Sequence, residues 1–214
     1  LPLVTDRYKL LNSGSALGSG VGPLLIAKEM LNAQDVNHQT IAIPGKNTTA
    51  HLLFSLAFPA AGRKEFLRYD EVENFVLEGK GLGVIIHENR FTYEAKGLKK
   101  IMDLGTYWEQ TIGTAIPLGG IVIDKNLPLD VQKQTENLIK QSTALSFEHY
   151  PKLSEFITKN AQEMSEDVMR KHINLYVNDF TLQLGEEGKK AVRALMQVYA
   201  TLNNGKAIPN DFFI

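Results

Sequence analysis

Gly83-Val84-Ile85-Ile86-His87-Glu88-Asn89-Arg90 is the stretch whose reading decides the fold. Val84, Ile85 and Ile86 form a β-branched run suited to a strand buried on both faces, as in a parallel sheet. His87, Glu88, Asn89 and Arg90 cannot all be buried without partners, so polarity switches on at one residue. In an α/β domain the carboxyl ends of the strands open onto the ligand crevice, which puts His87 where chemistry is done. Two roles fit it from the residues alone. It is either a strand-end residue that bonds a neighbouring carbonyl or a general base, since imidazole takes and releases a proton near neutral pH.

Working outward, strand and helix signals alternate. Tyr8 to Leu11, Leu24 to Ala27 and Ile41 to Ile43 read as strands. The turn Pro44-Gly45-Lys46-Asn47 follows, and Thr48 to Leu56 reads as a helix with a hydroxyl-rich start. Further strands are expected near Glu65 to Tyr69, up to His87, near Lys100 to Leu104, and over Gly119 to Ile123, with helices over Asp70 to Glu78 and through Trp108. Repeated units of this kind predict an α/β fold with a mostly parallel sheet. After Ile123 the pattern changes: Val131, Leu138 and Leu145 recur at helical spacing, and the remaining third reads as helical, with Ser165 placed to cap one helix. Pro44-Gly45 and the stretch from Asp124 to Pro128 bracket the alternating block. The expected organisation is therefore one lobe from residues 1–36 and 124–214, with residues 37–123 inserted as a second α/β lobe.

The 214 residues can bury a substantial core, and 23 basic residues against 24 acidic ones leave a net charge of −1. Such a balance favours a small molecule over nucleic acid or an anionic membrane as the partner. No apolar run approaches the roughly 20 residues needed to span a bilayer. The chain has no Cys, which excludes disulfides, thiolate ligands and a Cys nucleophile, and agrees with a cytoplasmic location.

Several groups of residues could carry chemistry. Thr48 and Thr49 sit at a strand-to-helix junction, where hydroxyls and first-turn N–H groups suit an anion such as a carboxylate; a plain threonine cap explains the same pattern. The glycine-rich loop from Gly14 to Gly22 has the composition of a phosphate cradle, but its spacing fits neither the dinucleotide fingerprint nor a Walker loop. Adjacent strand residues point to opposite faces, so His87 and Glu88 cannot form a one-sided metal pair. His38, His51, His149 and His172 have no partner spacing, and no metal site is expected. Tyr107-Trp108 and Phe91-Thr92-Tyr93 either flank an aromatic ligand or pack in the core, and Asn178 reads as a helix-end residue.

Several segments together resemble one family: Ser13-Gly14-Ser15-Ala16-Leu17-Gly18 with Gly20 to Leu25, Pro44 to Ala50, Ile85 to Tyr93, Met102-Asp103-Leu104-Gly105 with Trp108-Glu109, and Tyr176-Val177-Asn178. The family is 1,4-dihydroxy-6-naphthoate synthase of the futalosine route to menaquinone, and the His87 segment is the most specific part of the match. The resemblance implies a periplasmic-binding-protein-like (type II) fold with a cleft between two lobes. It also implies a carbon–carbon lyase acting on cyclic dehypoxanthine futalosine, an aromatic carboxylate fused to a sugar, without metal or organic cofactor. By the same resemblance His87 is the proton acceptor. Thr49 and Ala50 contact substrate, Thr48 stands beside them, and Ser13, Gly14 and Ser15 are weaker candidates. Family members carry a further amino-terminal segment, so the first lobe is expected to be truncated at that end. Two rivals share the fold: a solute-binding protein that captures a small carboxylate without reaction, and the related chorismate dehydratase, against which the His87 segment argues.

Overall fold

The computed structural model describes residues 1–87, 89–160, 165–205, 207–209 and 211–214, with the backbone alone at Val168 and His172. The elements in chain order are β1 (Tyr8–Leu10), β2 (Ala16–Gly18), β3 (Leu24–Ala27), β4 (Ile41–Ile43), α1 (Thr49–Ala57), β5 (Lys64–Phe66), α2 (Val72–Leu77), β6 (Leu82–Ile85), α3 (Asn89–Thr92), β7 (Lys99–Asp103), α4 (Leu104–Ile112), β8 (Ile116–Gly119) and β9 (Val122–Asp124). The helices α5 (Leu129–His149), α6 (Glu155–Asn160), α7 (Glu166–Tyr176), α8 (Asp179–Leu182) and α9 (Gly185–Leu202) complete the chain. Two compact units form, one from Leu1–Gly18 with Pro117–Ile214 and the other from Ser19–Ile116. The crossings therefore fall at 18/19 and 116/117 rather than at the expected 36/37 and 123/124. The reason lies in pairing. β3 hydrogen-bonds to β6 and β7, which draws residues 19–36 into the inserted unit, while β9 pairs with β1 and keeps 117–123 in the other.

The inserted unit is a five-stranded sheet in the order β5-β4-β6-β3-β7. β4 runs parallel to β5 and β6, and β3 runs antiparallel to both β6 and β7. The sheet is thus mixed: β3 opposes the common direction because it enters at the edge where the others leave. Alternation along the strands divides the core. Leu24, Ile26, Ala42 and Ile85 face Val72, Phe75 and Val76 of α2. Leu25, Ile41, Ile43 and Val84 point to the opposite face, and Leu53, Phe54, Leu104 and Trp108 of α1 and α4 are buried as well. Gly83 lets α2 lie on the sheet, since a Cβ there would stand 2.7 Å from both Val72 and Val76. Several elements differ in extent from the sequence reading. β5 ends at Phe66 and Tyr69 opens a short 3-10 turn; β6 ends at Ile85, two residues before His87. The strand expected over Gly119 to Ile123 is two strands, broken at Gly120, where a Cβ would lie 2.6 Å from Leu10.

In the other unit β1 pairs with β9, β2 pairs with β8, and Leu10 bridges to Phe213. Its core gathers Leu10, Leu17, Leu184, Val192, Met196 and Phe212. The carboxyl-terminal third is helical as expected. The seven-residue stripe of α5 is not core, however, because Val131, Leu138 and Leu145 are exposed.

Two glycines before β3 separate sterics from backbone conformation. A Cβ on Gly22 would lie 2.2 Å from the Cα of Gly105, whereas Gly20, at φ +70°, has nothing within 4 Å. Urea unfolding should therefore show Gly22→Ala losing about 3 kcal/mol or more, as overpacking does against rigid backbone. Gly20→Ala should lose only roughly 1–2 kcal/mol, the cost of a left-handed residue. Equal losses would contradict the close backbone contact between Gly22 and Gly105.

Candidate active site

The parallel strands of the inserted unit deliver their following residues to one sheet edge. Ile41 lies opposite Leu82, and Ile43 opposite Phe66, so the segments after β4, β5 and β6 emerge side by side. Leu24, the first residue of antiparallel β3, pairs with Ile85 and Asp103, which brings Gly20 to Pro23 and the start of α4 to the same edge.

After β4, Thr48 caps α1. Its hydroxyl donates to the Gly45 carbonyl at 2.8 Å and accepts from the His51 N–H at 3.2 Å. Both capacities are used, so Thr48 behaves as the ordinary cap. Thr49 and Ala50 form the first turn, whose N–H groups the helix ladder does not take, at the positive end of the helix dipole. His51 closes the turn: its Nδ1 donates to the Lys46 carbonyl at 2.7 Å and its ring meets Phe66 edge-on at 5.0 Å. Burial pushes the His51 imidazole below its ordinary pKa; the bond to Lys46 opposes this, and the Lys64 and Lys46 charges add to it.

After β6, His87 is exposed and adopts φ 57°, a left-handed conformation that costs a non-glycine residue roughly 1–2 kcal/mol. It stands in a turn, not in a strand as expected, and Glu88 lies outside the described residues. The Tyr69 ring, carried past the end of β5, meets the His87 ring at 5.5 Å in a T-shaped contact. Because β4 separates β5 from β6 in the sheet, this contact spans the carboxyl end of β4, where the approach to α1 begins. The His87 carbonyl accepts from the Arg90 N–H at 3.2 Å. The Arg90 guanidinium pairs with Asp103 at 2.8 Å, both side chains being 16% exposed, and donates to the Gly20 and Gly22 carbonyls. The other oxygen of Asp103 caps α4 through Gly105 N–H and Thr106 N–H. Glu109 of α4 accepts from Gly20 N–H at 2.6 Å.

The remaining predicted residues fall elsewhere. Ser13, Gly14 and Ser15 belong to the other unit. Ser13 donates to the Leu182 carbonyl, Gly14 donates to that of Thr181 at φ 83°, and the buried Ser15 hydroxyl has no hydrogen-bond partner among the described residues. Asn178 caps α8 and donates to the Leu17 carbonyl. Trp108 is fully buried, its Nε1 donating to Thr114 and Ala115 carbonyls. Tyr93 is core too, with its phenol raised to about 12 by burial and then by its bond to Glu94. Core packing therefore accounts for both. Among the described residues no group of three or more His, Asp or Glu side chains could hold a metal ion. Tyr69, Arg90 and Asp103 carry no signature in the sequence that marks them as site residues, because ring contacts and ion pairs across strands leave no local spacing to read.

A model of the menaquinone biosynthesis family matches residues 1–201. The chain belongs to the menaquinone biosynthesis family. Over 212 residues it is 39% identical to the 1,4-dihydroxy-6-naphthoate synthase of Thermus thermophilus, covering 99% of this chain and 77% of that protein. The Streptomyces coelicolor enzyme of the same name is 37% identical over 202 residues, covering 92% and 71%. Among solved structures, an Archaeoglobus fulgidus protein superposes with a TM-score of 0.85 at 28% identity, covering 94% of this chain and 75% of that one. The ligand-binding component of a Staphylococcus aureus ABC-type import system superposes at 0.67 with 14% identity, covering 97% and 71%, a likeness of fold alone. This member of the menaquinone biosynthesis family has the periplasmic-binding-protein-like α/β fold.

His51 gives the unit a defined response to acid. A neutral imidazole in the fold contributes stability that is complete above about pH 6.5, the unfolded value, and is lost as pH falls toward the lowered folded value. Thermal melts between about pH 7 and pH 5 should show a decline that His51→Gln flattens. An unchanged slope would assign the titration to another group.

Proposed function

We propose that the protein converts cyclic dehypoxanthine futalosine to 1,4-dihydroxy-6-naphthoate in menaquinone biosynthesis. The observation that carries this reading is the kinship with two proteins of that name over nearly the whole chain. A strained, exposed histidine beside a helix amino terminus supplies chemistry that suits the reaction. The solute-binding alternative has only the fold in its favour.

In this reading the His87 imidazole takes a proton from the sugar-derived part of the substrate, a carbon–carbon bond breaks, and the bicyclic product becomes aromatic. Aromatisation makes the forward direction downhill, so the protein supplies mainly orientation, a base and donors for developing negative charge. The Thr49 hydroxyl and the N–H of Ala50 bind the substrate's polar groups at the start of α1, with Thr48 holding that turn in shape. The partner is an aromatic carboxylate fused to a sugar, not nucleic acid or membrane, and the protein works in the cytoplasm. No helix among the described residues is long and apolar enough to cross a membrane.

Single-turnover formation of the naphthoate, followed by its absorbance, tests the assignment. His87→Asn should fold and bind substrate yet react about 10² to 10⁴ times more slowly, the usual contribution of a positioned base. Reaction at the wild-type rate would make His87 a structural turn residue. Wild-type protein that binds substrate without converting it would favour solute binding.

A further inference from the structure

Arg90 has no direct part in the proton transfer proposed above, yet its guanidinium makes three hydrogen bonds at the sheet edge. Its guanidinium reaches the Gly20 carbonyl at 2.9 Å, the Gly22 carbonyl, and Asp103 at 2.8 Å. Asp103 is fixed in turn, since its second oxygen accepts two N–H groups from the first turn of α4. The planar Arg fork presents its donors to two carbonyls and a carboxylate in one fixed geometry, whereas a Lys ammonium is a point charge on a flexible stem. The pair is largely buried, where an ion pair persists only with support from further hydrogen bonds; the two glycine carbonyls supply it to Arg90, and the α4 N–H groups supply it to Asp103.

The same residue bonds backbone to backbone with His87, Arg90 N–H to His87 carbonyl, across the turn in which His87 takes its left-handed conformation. A strained residue keeps its geometry only where the surroundings over-determine it. The Tyr69 ring restrains His87 from the side chain, and the anchored Arg90 restrains it from the backbone.

We propose that Arg90 is a positioning residue for the His87 base, locking the turn that carries the imidazole to the Gly20–Gly22 segment and Asp103. The proposal rests on the reading of His87 as the base.

A double-mutant cycle tests it. Steady-state and single-turnover rates are measured for wild type, Arg90→Gln, Arg90→Lys, His87→Asn and the Arg90→Gln/His87→Asn pair, with near-ultraviolet circular dichroism as the check on folding. Arg90→Gln should lower kcat by about tenfold to a hundredfold, the scale of a small misplacement of a catalytic group, and leave KM near wild type. Arg90→Lys should recover part of the loss. With His87 already replaced, Arg90→Gln should cost nothing further. Equal losses in both backgrounds, a loss confined to KM, or unimpaired Arg90→Gln would overturn the proposal, and so would failure of both the Gln and Lys variants to fold, which would make Arg90 a determinant of the fold. A fully active His87→Asn is a distinct result, because it removes the base reading and this proposal with it, whereas the additive outcome leaves His87 slow and removes only Arg90.

Discussion

Ile41 opposite Leu82 and Ala42 opposite Gly83, in a parallel pairing, determine which segments become neighbours at the sheet edge. Whatever follows β4 must stand beside whatever follows β6. The capped start of α1 and the His87 turn are delivered to the same sheet edge by this pairing. A one-residue slip would reverse the faces of Ala42 and its neighbours and expose the seat that Ala42 and Gly83 provide for α2, so burial of Val72 and Val76 fixes the register. Antiparallel β3 then feeds the Gly20 to Pro23 segment to the same edge, within reach of Arg90.

The energetics at this edge divide stable groups from poised ones. Thr48 uses its hydroxyl twice, as donor to Gly45 and acceptor from His51, and so serves as the cap of α1. Arg90 and Asp103 are likewise committed to one another and to backbone groups. His87 differs: it is exposed, held at φ 57°, and paired ring to ring with Tyr69. A local backbone cost of roughly 1–2 kcal/mol is tolerable there because firmly bonded neighbours surround the turn.

The switch from Ile86 to His87 could be read in the sequence because burial and polarity oppose each other within one residue, and the Thr48 cap because hydroxyl caps have a local signature. The crossings at 18/19 and 116/117 were hidden, since they depend on β3 finding β6 and β7 far along the chain. Gly119 to Ile123 looks continuous as a strand, and the close packing of Leu10 against Gly120, where the strand breaks, is visible only in the fold. Trp108 and Tyr93 lie near the site in sequence but are consumed by the core, which aromatic composition alone does not reveal. Arg90 and Asp103, at opposite ends of separate elements, meet only when β6, β3 and β7 align.

In the proposed mechanism the start of α1 and the His87 turn form one binding edge. Backbone amide resonances followed by NMR during titration with 1,4-dihydroxy-6-naphthoate test it most directly. The Ala50 and His87 amides should shift together and report one common Kd. Saturable binding that leaves either amide unmoved, or that moves the two with different midpoints, would contradict it.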